Sequence, residues 1–168
     1  LLARLRQGVR FIRCERELLE QVGRDQAAGL PGSAVLGQRL RQALARDGDK
    51  RPRVAVAVVE LDFFAQIQSL YGVAAGNEVF KSAAETLQRA AGDSATVWRL
   101  GSGRFGVLLP GASIDEAVAW AEKARQELGE METAVEPQTM RITASFGVTD
   151  CDVESPDADE IVRRAFNA

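Results

Sequence analysis

Histidine is absent from this chain of 168 residues, and cysteine is scarce. Without histidine, the chain cannot contain a Ser-His-Asp triad, a Cys-His catalytic pair or a histidine-ligated zinc site. The two cysteines, Cys14 and Cys151, lack the spacing of a metal site and are too few for a disulfide scaffold. We interpret both as small, partly buried side chains, so any metal in this protein would be held by carboxylates.

Long apolar runs are also missing, and the first twenty or so residues carry charges every few positions. This pattern is neither that of a signal peptide nor that of a membrane anchor, so the chain is predicted to be cytoplasmic, with no membrane insertion of this segment. The net charge of −3 comes from 21 basic and 24 acidic residues that are well mixed along the sequence. Because no basic stripe is present to follow a nucleic-acid backbone, nucleic-acid binding is disfavoured.

The composition that remains, 46% hydrophobic and 27% charged, is typical of one globular domain of ordinary size. Before it lies a predicted linker helix over residues 1–24, in which apolar residues follow steps of three and four. Two interpretations of this helix stay open: it packs on its own domain, or it pairs weakly with its counterpart in a second chain. Its seam consists of Leu2, Leu5, Val9, Ile12 and Leu19, with a charge at Arg16.

Further helices are predicted from apolar residues that recur at helical spacing. Ser33 is placed to cap a short helix whose apolar face comprises Leu36, Leu40 and Leu44. Two helices are expected at 64–71 and 77–90, with the loop YGVAAGN between them. The stretch DADEIVRRAFNA begins a last helix. An amphipathic helix is predicted before it. Its apolar face is expected to comprise Ile114, Ala117, Val118, Ala121, Ala124 and Leu128.

Four segments have the patterns of strands, near residues 53–60, 95–100, 105–109 and 139–148. The second and third are joined by GSG, which is too short for anything except a hairpin, with Ser102 and Gly103 at its tip. In the fourth, alternation puts one set of residues on a single face: Met140, Ile142, Ala144, Phe146 and Val148. This order of elements predicts an α+β fold in which helices flank a largely antiparallel sheet.

The valine-rich run VAVAVVELDFF ends in two carboxylates, Glu60 and Asp62. Because side chains alternate along a strand, both are expected to point to the same side at the carboxyl end of the strand. They fit a solvated strand end, and they equally fit a magnesium-nucleotide site, since hard divalent cations prefer oxygen ligands. The residues alone leave both interpretations open.

Gly101, Gly103 and Gly106 spell the pattern G-x-G-x-x-G, which also occurs in two unrelated kinds of nucleotide site. A dinucleotide-binding fingerprint needs a helix directly after the glycines, whereas FGVLL continues as a strand. A protein-kinase loop would be accompanied by VAIK and HRD motifs, and a chain without histidine cannot contain the second. What remains is a tight hairpin in which glycine supplies the positive φ of the turn.

Four stretches, met in order along the chain, resemble landmarks of the GGDEF domain, the diguanylate cyclase module that joins two GTP molecules into cyclic di-GMP. DQAAGLPG is similar to D-x-L-T-G-L-P-N, and VELDFFAQIQSLYGVAAGNEVF to D-x-D-x-F-K-x-I-N-D-x-x-G-H-x-x-G-D. RLGSGRFGVLLPG is similar to R-x-G-G-D-E-F, and TASFGV to S-I-G-V. The resemblance covers residues 25–168 and implies a nucleotide-cyclase-like sheet flanked by helices.

The resemblance also identifies departures at the catalytic positions. In the family, the hairpin tip carries two acids, one of which ligates magnesium and helps to activate the attacking 3′-hydroxyl. Gly103 and Arg104 occupy those two positions here. Glu60 corresponds to the first metal-binding aspartate, one methylene longer, and Asp62 follows it. The resemblance therefore implies vestigial metal positions and no catalytic acid at the tip.

The nucleotide-binding positions depart as well. The asparagine and aspartate that read guanine in the family correspond to Gln68 and Asn77, and the loop positions Gly101 and Ser102 complete the vestigial site. Asn77 lacks the anionic acceptor suited to the N1–H and N2–H donors of guanine. Weakened guanine recognition is what these replacements imply.

Two further family features lack their ligands here. The inhibitory motif R-x-x-D before the hairpin corresponds to Gly92 and Ala95, so no cyclic di-GMP binding is expected there. The basic residues that contact phosphates near the end of the last helix in the family would fall beyond Ala168.

Three functions stay open at this point. The leading interpretation is a catalytically inactive GGDEF-like domain, a regulatory or interaction module in bacterial cyclic di-GMP-type signalling whose partners are other domains or another protein. The second is a sensor that binds GTP without turnover. The third and least favoured is a weak diguanylate cyclase. No cofactor is expected, and magnesium is expected only if a nucleotide binds.

Overall fold

The computed structural model describes residues 29–32, 36–44, 53–135, 138–151 and 158–167. The predicted opening helix over residues 1–24, with Cys14, and the predicted cap at Ser33 lie outside the described residues. The elements in chain order are α1 (Leu36–Leu44), β1 (Val54–Leu61), α2 (Phe64–Ala91), β2 (Thr96–Gly101), β3 (Arg104–Pro110), α3 (Ile114–Glu130), β4 (Glu132–Val135), β5 (Gln138–Arg141), β6 (Ala144–Asp150) and α4 (Ala158–Phe166).

The main sheet has four strands in the order β2-β3-β1-β6, and every pair is antiparallel. β1 lies inside this sheet, and its residues from Val54 to Val59 are all buried, as expected for a valine-rich run covered on both faces. β4 and β5 form a separate two-stranded hairpin. The structure confirms an α+β fold with an antiparallel sheet flanked by helices.

Alternation along β1 divides the core into two layers. Ala55, Ala57 and Val59 belong to a cluster with residues of α2 and α3. On the other face, Val54 and Val56 pack in a second cluster with residues of α1 and α4. The sheet is therefore sandwiched between two pairs of helices, and its strand ends are the places where polar side chains can gather.

The β2–β3 hairpin is held by close packing in its middle. Trp98 lies directly opposite Gly106, and a Cβ atom placed on that glycine would be 2.1 Å from Cζ2 of the indole ring. On the other face, the rings of Phe80 and Phe105 stack with their centroids 4.2 Å apart. Only glycine leaves room for the tryptophan at this point of the sheet.

The loop predicted between two helices at YGVAAGN is wrong. The helix α2 runs from Phe64 to Ala91, and the only break is a kink at Gly72, whose φ of 86° and ψ of 166° are non-helical. Glycine takes such a conformation readily, whereas Ala74 and Ala75 favour the helix that resumes directly after it. A kink at a single glycine therefore stands in place of the expected loop.

The single strand predicted over residues 139–148 is also wrong, because it is divided between β5 and β6. The chain leaves the small hairpin at Arg141 and enters the main sheet at Ala144. At the break, the carbonyl of Thr143 accepts a hydrogen bond of 2.9 Å from the N–H of Asp62. The alternating pattern continues through the break, so it did not reveal the change of sheet.

The helix α3 was expected, but its buried face is narrower than predicted. Ile114 and Val118 are exposed, and the buried positions are Ala117, Ala121, Ala124 and Leu128. Ser113 begins this helix with a reciprocal cap, in which its side chain accepts from the N–H of Glu116 and its own N–H donates to the Glu116 carboxylate.

Within the described ranges, no helix is long and apolar enough to cross a membrane.

Candidate functional site

The carboxyl end of β1 carries the candidate site. The strand register places Glu60 between Arg104 of β3 and Ser145 of β6, each of them its direct cross-strand partner. Directly paired residues of neighbouring strands present their side chains on the same face of a sheet. Three polar side chains from three strands therefore form a row at this end, and Asp62 follows just beyond the strand.

Glu60 and Arg104 form an ion pair in this row. Nη2 of the arginine donates to Oε1 of the glutamate over 3.1 Å, and each side chain is 44% exposed. The structure thus pairs the arginine at the tip position with the first of the two carboxylates. Because the guanidinium is always charged, the position beside Glu60 is held by a permanent cation.

Asp62 is engaged by hydroxyl groups. Its carboxylate accepts hydrogen bonds from the side chains of Thr143, at 2.5 Å, and Ser145, at 2.9 Å. Thr143 directly precedes β6 and Ser145 lies within it, so the residues TAS carry two hydroxyls two positions apart. Sequence reasoning missed these partners, although the two hydroxyls on the polar face of a strand were a visible sign of them.

The hairpin tip is a two-residue turn, Ser102 and Gly103, between the paired residues Gly101 and Arg104. Gly103 has a φ of 69°, as expected for glycine in this turn, and its carbonyl accepts a 2.8 Å hydrogen bond from the N–H of Leu61. A Cβ atom on Gly103 would lie 2.7 Å from Cγ of Phe64, which is buried. Any residue larger than glycine would therefore require both a strained backbone and a shift of Phe64.

Gln68 links the helix to the hairpin tip. The hydroxyl of Ser102 donates to its side-chain oxygen over 3.4 Å. The same side chain covers Gly76, since a Cβ there would be 2.5 Å from Cγ of Gln68. Asn77, the next residue, is half-buried. Two of the predicted nucleotide-binding residues, Gln68 and Ser102, thus meet, and the kink at Gly72 lies between Gln68 and Asn77.

Gly92 and Ala95 lie elsewhere, at the amino end of β2 rather than at the hairpin tip. They line a cavity of about 350 Å³ together with Arg39 of α1, Asp93 and other residues. Arg39 was not among the predicted site residues. The positions of the inhibitory motif and those of the hairpin tip thus lie at opposite ends of β2.

The residues present do not fit the magnesium ion that the family resemblance implies. Glu60 already faces a guanidinium, Asp62 already accepts two hydroxyl hydrogen bonds, and the tip offers Gly103 and Arg104 instead of acids. The part of the chain that the structure describes contains no group of three or more His, Cys, Asp or Glu arranged to hold a metal. A divalent cation prefers several carboxylate oxygens around it, whereas here one of the two carboxylates is neutralised by a permanent cation.

Comparison with known proteins agrees with this fold and these landmarks. The family model described as "Diguanylate cyclase, GGDEF domain" matches residues 22–168. Diguanylate cyclase A of Treponema denticola is 30% identical over 121 residues, which are 72% of this chain and 33% of that protein. The chain therefore spans about a third of the length of this curated relative.

Two solved structures from Pseudomonas aeruginosa are similar. Diguanylate cyclase SiaD, in complex with its activator SiaC, has a TM-score of 0.79 and 24% identity, over 99% of this chain and 67% of that chain. The GGDEF domain of PA1120, also called TpbB or YfiN, has a TM-score of 0.77 and 26% identity, over 85% of this chain and 84% of that chain. With the family model matching most of its length, this chain belongs to the GGDEF-domain family of diguanylate cyclases.

Proposed function

We propose that this chain is a catalytically inactive GGDEF domain that acts as a regulatory or interaction module in cyclic di-GMP signalling. The observation that carries the proposal is the ion pair between Glu60 and Arg104. It joins the position of a metal-binding carboxylate to an arginine at the position of a tip acid. The two groups neutralise each other at the place where family members need net negative charge.

The chemistry of cyclisation explains why this pair opposes turnover. The attacking 3′-hydroxyl must lose a proton, and a metal-bound carboxylate site lowers the pKa of that hydroxyl. Arg104 has no acceptor atom and stays protonated, so it cannot take up the proton. Gly103 contributes no side chain at all. Glu60 and Asp62 are the acids at this strand end, and both are already engaged.

A module without turnover acts through contacts, and we infer that its partners are other domains of the same protein or a separate protein. The related cyclase SiaD is known in complex with its activator SiaC, which gives a precedent for a protein partner in a relative with this fold. No cofactor is required for such a role.

The test is a product assay. The chain is incubated with GTP and magnesium, and cyclic di-GMP is sought by chromatography, with diguanylate cyclase A of Treponema denticola as the positive control. We expect no product from the chain. We also expect none from the variant Gly103→Asp, Arg104→Glu, for two reasons. The new aspartate at the tip must displace Phe64. In addition, Gln68 and Asn77 still occupy the positions of the guanine-reading pair. Product from the unaltered chain would overturn the proposal.

One observation favours a second function, nucleotide sensing without turnover. The contact between Ser102 and Gln68 holds a side-chain amide between the helix and the hairpin tip, beside the position that reads guanine in the family. Calorimetric titration with GTP, with and without magnesium, tests this function. Equal binding with and without magnesium supports a metal-independent sensor. If no binding is detected at about 1 mM GTP, the dissociation constant is above the millimolar range and the sensor function is excluded.

A further inference from the structure

The side chain of Gln68 spans the kink in α2. Its Oε1 atom accepts a hydrogen bond of 3.4 Å from the hydroxyl of Ser102 at the hairpin tip. Its Nε2 atom would lie 3.0 Å from a Cβ atom placed on Gly76. Because eight residues of a straight helix cover about 12 Å, the kink at Gly72 is what brings this turn so close. The amide of Gln68 therefore has its oxygen towards the tip and its nitrogen beside the turn that carries Asn77.

Asn77 adds a second amide at this place. Its side chain is half-buried, and it makes no hydrogen bond to another residue in the described part of the chain. Residues 63–77 contain no Asp, Glu, Lys or Arg, although the chain is 27% charged overall. Beside the hairpin tip, this part of the helix therefore offers neutral amides instead of carboxylates.

A carboxylate at such a place selects guanine. It has two acceptor oxygens, which pair with the two neighbouring donors of guanine, N1–H and the 2-amino group. Adenine has no such pair of donors, because the acceptor N1 stands next to the donor 6-amino group on its edge. A carboxylate facing adenine would leave one of its oxygens opposite another acceptor, which opposes binding.

An amide has one acceptor and one donor, and turning it over exchanges them. In one orientation it accepts from the 6-amino group of adenine and donates to N1. In the other it accepts from N1–H of guanine and donates to O6. Because no described residue fixes the amide of Asn77, both pairings are open to it. The 2-amino group of guanine takes no part in either pairing.

We propose that the site formed by Asn77, Gln68 and the hairpin tip binds adenine and guanine nucleotides with similar affinity. The inference rests on the proposed function of nucleotide sensing without turnover, and it specifies which bases that sensor admits. Ser102 already occupies the oxygen of Gln68, so the N–H groups of Gln68 are left to donate. Both bases carry the acceptor N7, so these donors do not separate adenine from guanine.

The test is a calorimetric titration of the full chain with GTP, ATP, ITP and inorganic tripolyphosphate under identical ionic conditions. We expect the dissociation constants for GTP and ATP to lie within about threefold of each other. ITP lacks the 2-amino group and should match GTP, because the site has no acceptor for that group. Tripolyphosphate should bind at least about tenfold more weakly, because it has no base to pair with the amides.

A substitution at Asn77 tests the same inference in the opposite direction. Asn77→Asp supplies two acceptor oxygens and should shift the ratio of the ATP and GTP dissociation constants at least about tenfold in favour of GTP. The added negative charge opposes both nucleotides alike, so it cancels in this ratio. Asn167→Asp is the matched control, since Asn167 is exposed and follows α4, which packs on the other face of the sheet. This control should leave the ratio unchanged.

The outcomes separate this inference from the sensor function. If GTP binds at least about tenfold more tightly than ATP or ITP, the sensor function stands and the inference on base choice is overturned. Tripolyphosphate that binds as tightly as the nucleotides, or an unchanged ratio in Asn77→Asp that circular dichroism shows to be folded, would also overturn it. If none of the three nucleotides binds at about 1 mM, the sensor function and this inference both fail. The comparison of GTP with ATP and ITP uses the unaltered chain, so it does not depend on the folding of any variant.

Discussion

The buried body of the main sheet and the polar row at the end of β1 are only a few residues apart, yet side chains are held in different ways in them. In the body, Trp98 is 1% exposed and fills the space above Gly106, so each atom has close neighbours. In the row, Glu60 and Arg104 are each 44% exposed and meet through one ion pair. Replacing a side chain in the body therefore disturbs the fold, whereas replacing one in the row changes the charge of the site and leaves the fold in place.

The sharpest test of this comparison is Gly106→Ala in the body. The new Cβ would lie 2.1 Å from the Trp98 ring, which is enclosed and cannot move aside. We expect the free energy of unfolding to fall by about 2–3 kcal/mol, measured by urea denaturation. The matched control is Gly101→Ala in the same hairpin, where nothing lies within 4 Å of the new Cβ and the change should stay within about 0.5 kcal/mol. Equal losses in the two variants would contradict the packing argument.

A second test concerns the tip, where the row meets the body. Gly103 and Gly111 both have positive φ, at 69° and 82°, but only Gly103 has Phe64 against its Cβ direction. Alanine at Gly111 should cost about 1 kcal/mol for the backbone alone. Alanine at Gly103 should cost at least about 1 kcal/mol more, because Phe64 must shift. If thermal denaturation gives the same loss for both variants, the contact with Phe64 does not restrict the tip.

A third effect, a decline in stability at high pH, is expected from the buried thiol of Cys151. Burial, with a smaller contribution from the charge of Asp150, raises the pKa of Cys151 from 9.0 to about 12, although Arg164 opposes the shift. The folded state therefore holds the thiol proton more tightly than the unfolded state. This contribution to stability is complete below about pH 9 and is lost as the pH rises from 9 towards 12. Urea denaturation at about pH 8 and pH 10 should reveal a decline that Cys151→Ala diminishes. An unchanged decline in the variant would assign it to other groups.

The smallest effect is expected in the row. A double-mutant cycle with Glu60→Gln and Arg104→Gln should give a coupling energy below about 1 kcal/mol, because both groups are substantially exposed. The coupling should decrease further at high salt, since screening weakens exposed pairs. A coupling of about 2 kcal/mol or more that persists in salt would mean that the pair supports the fold, and the distinction between row and body would then fail.

Local patterns were enough to predict the centre of the fold. The valine run predicts β1, and the three-residue link GSG predicts the β2–β3 hairpin with Gly103 at positive φ. Both predictions depend on residues that are neighbours in sequence. Periodicity is enough to predict the strand, and turn chemistry is enough to predict the hairpin. The predicted positions of Glu60 and Asp62 at a strand end follow from the same reasoning.

The wrong and missed predictions concern segments whose structure depends on contacts with residues distant in sequence. The division of residues 139–148 between β5 and β6 depends on which strand each half pairs with, and alternation is the same for both. β4 was missed because it is short and directly follows α3. The pairing of Glu60 with Arg104 needs the register of β1 against β3, which brings together residues 44 positions apart. No pattern within one segment contains that information.

The ion pair between Glu60 and Arg104 also determines how the occupancy of this site responds to its surroundings. A magnesium ion occupies a carboxylate site in proportion to its free concentration and its dissociation constant. The guanidinium of Arg104 is tethered by the chain, so its effective concentration beside Glu60 is fixed by the length of its own side chain. Dilution and chelators leave that occupancy unaltered, whereas ionic strength, a competing anion or a cation that binds Glu60 can weaken the pair.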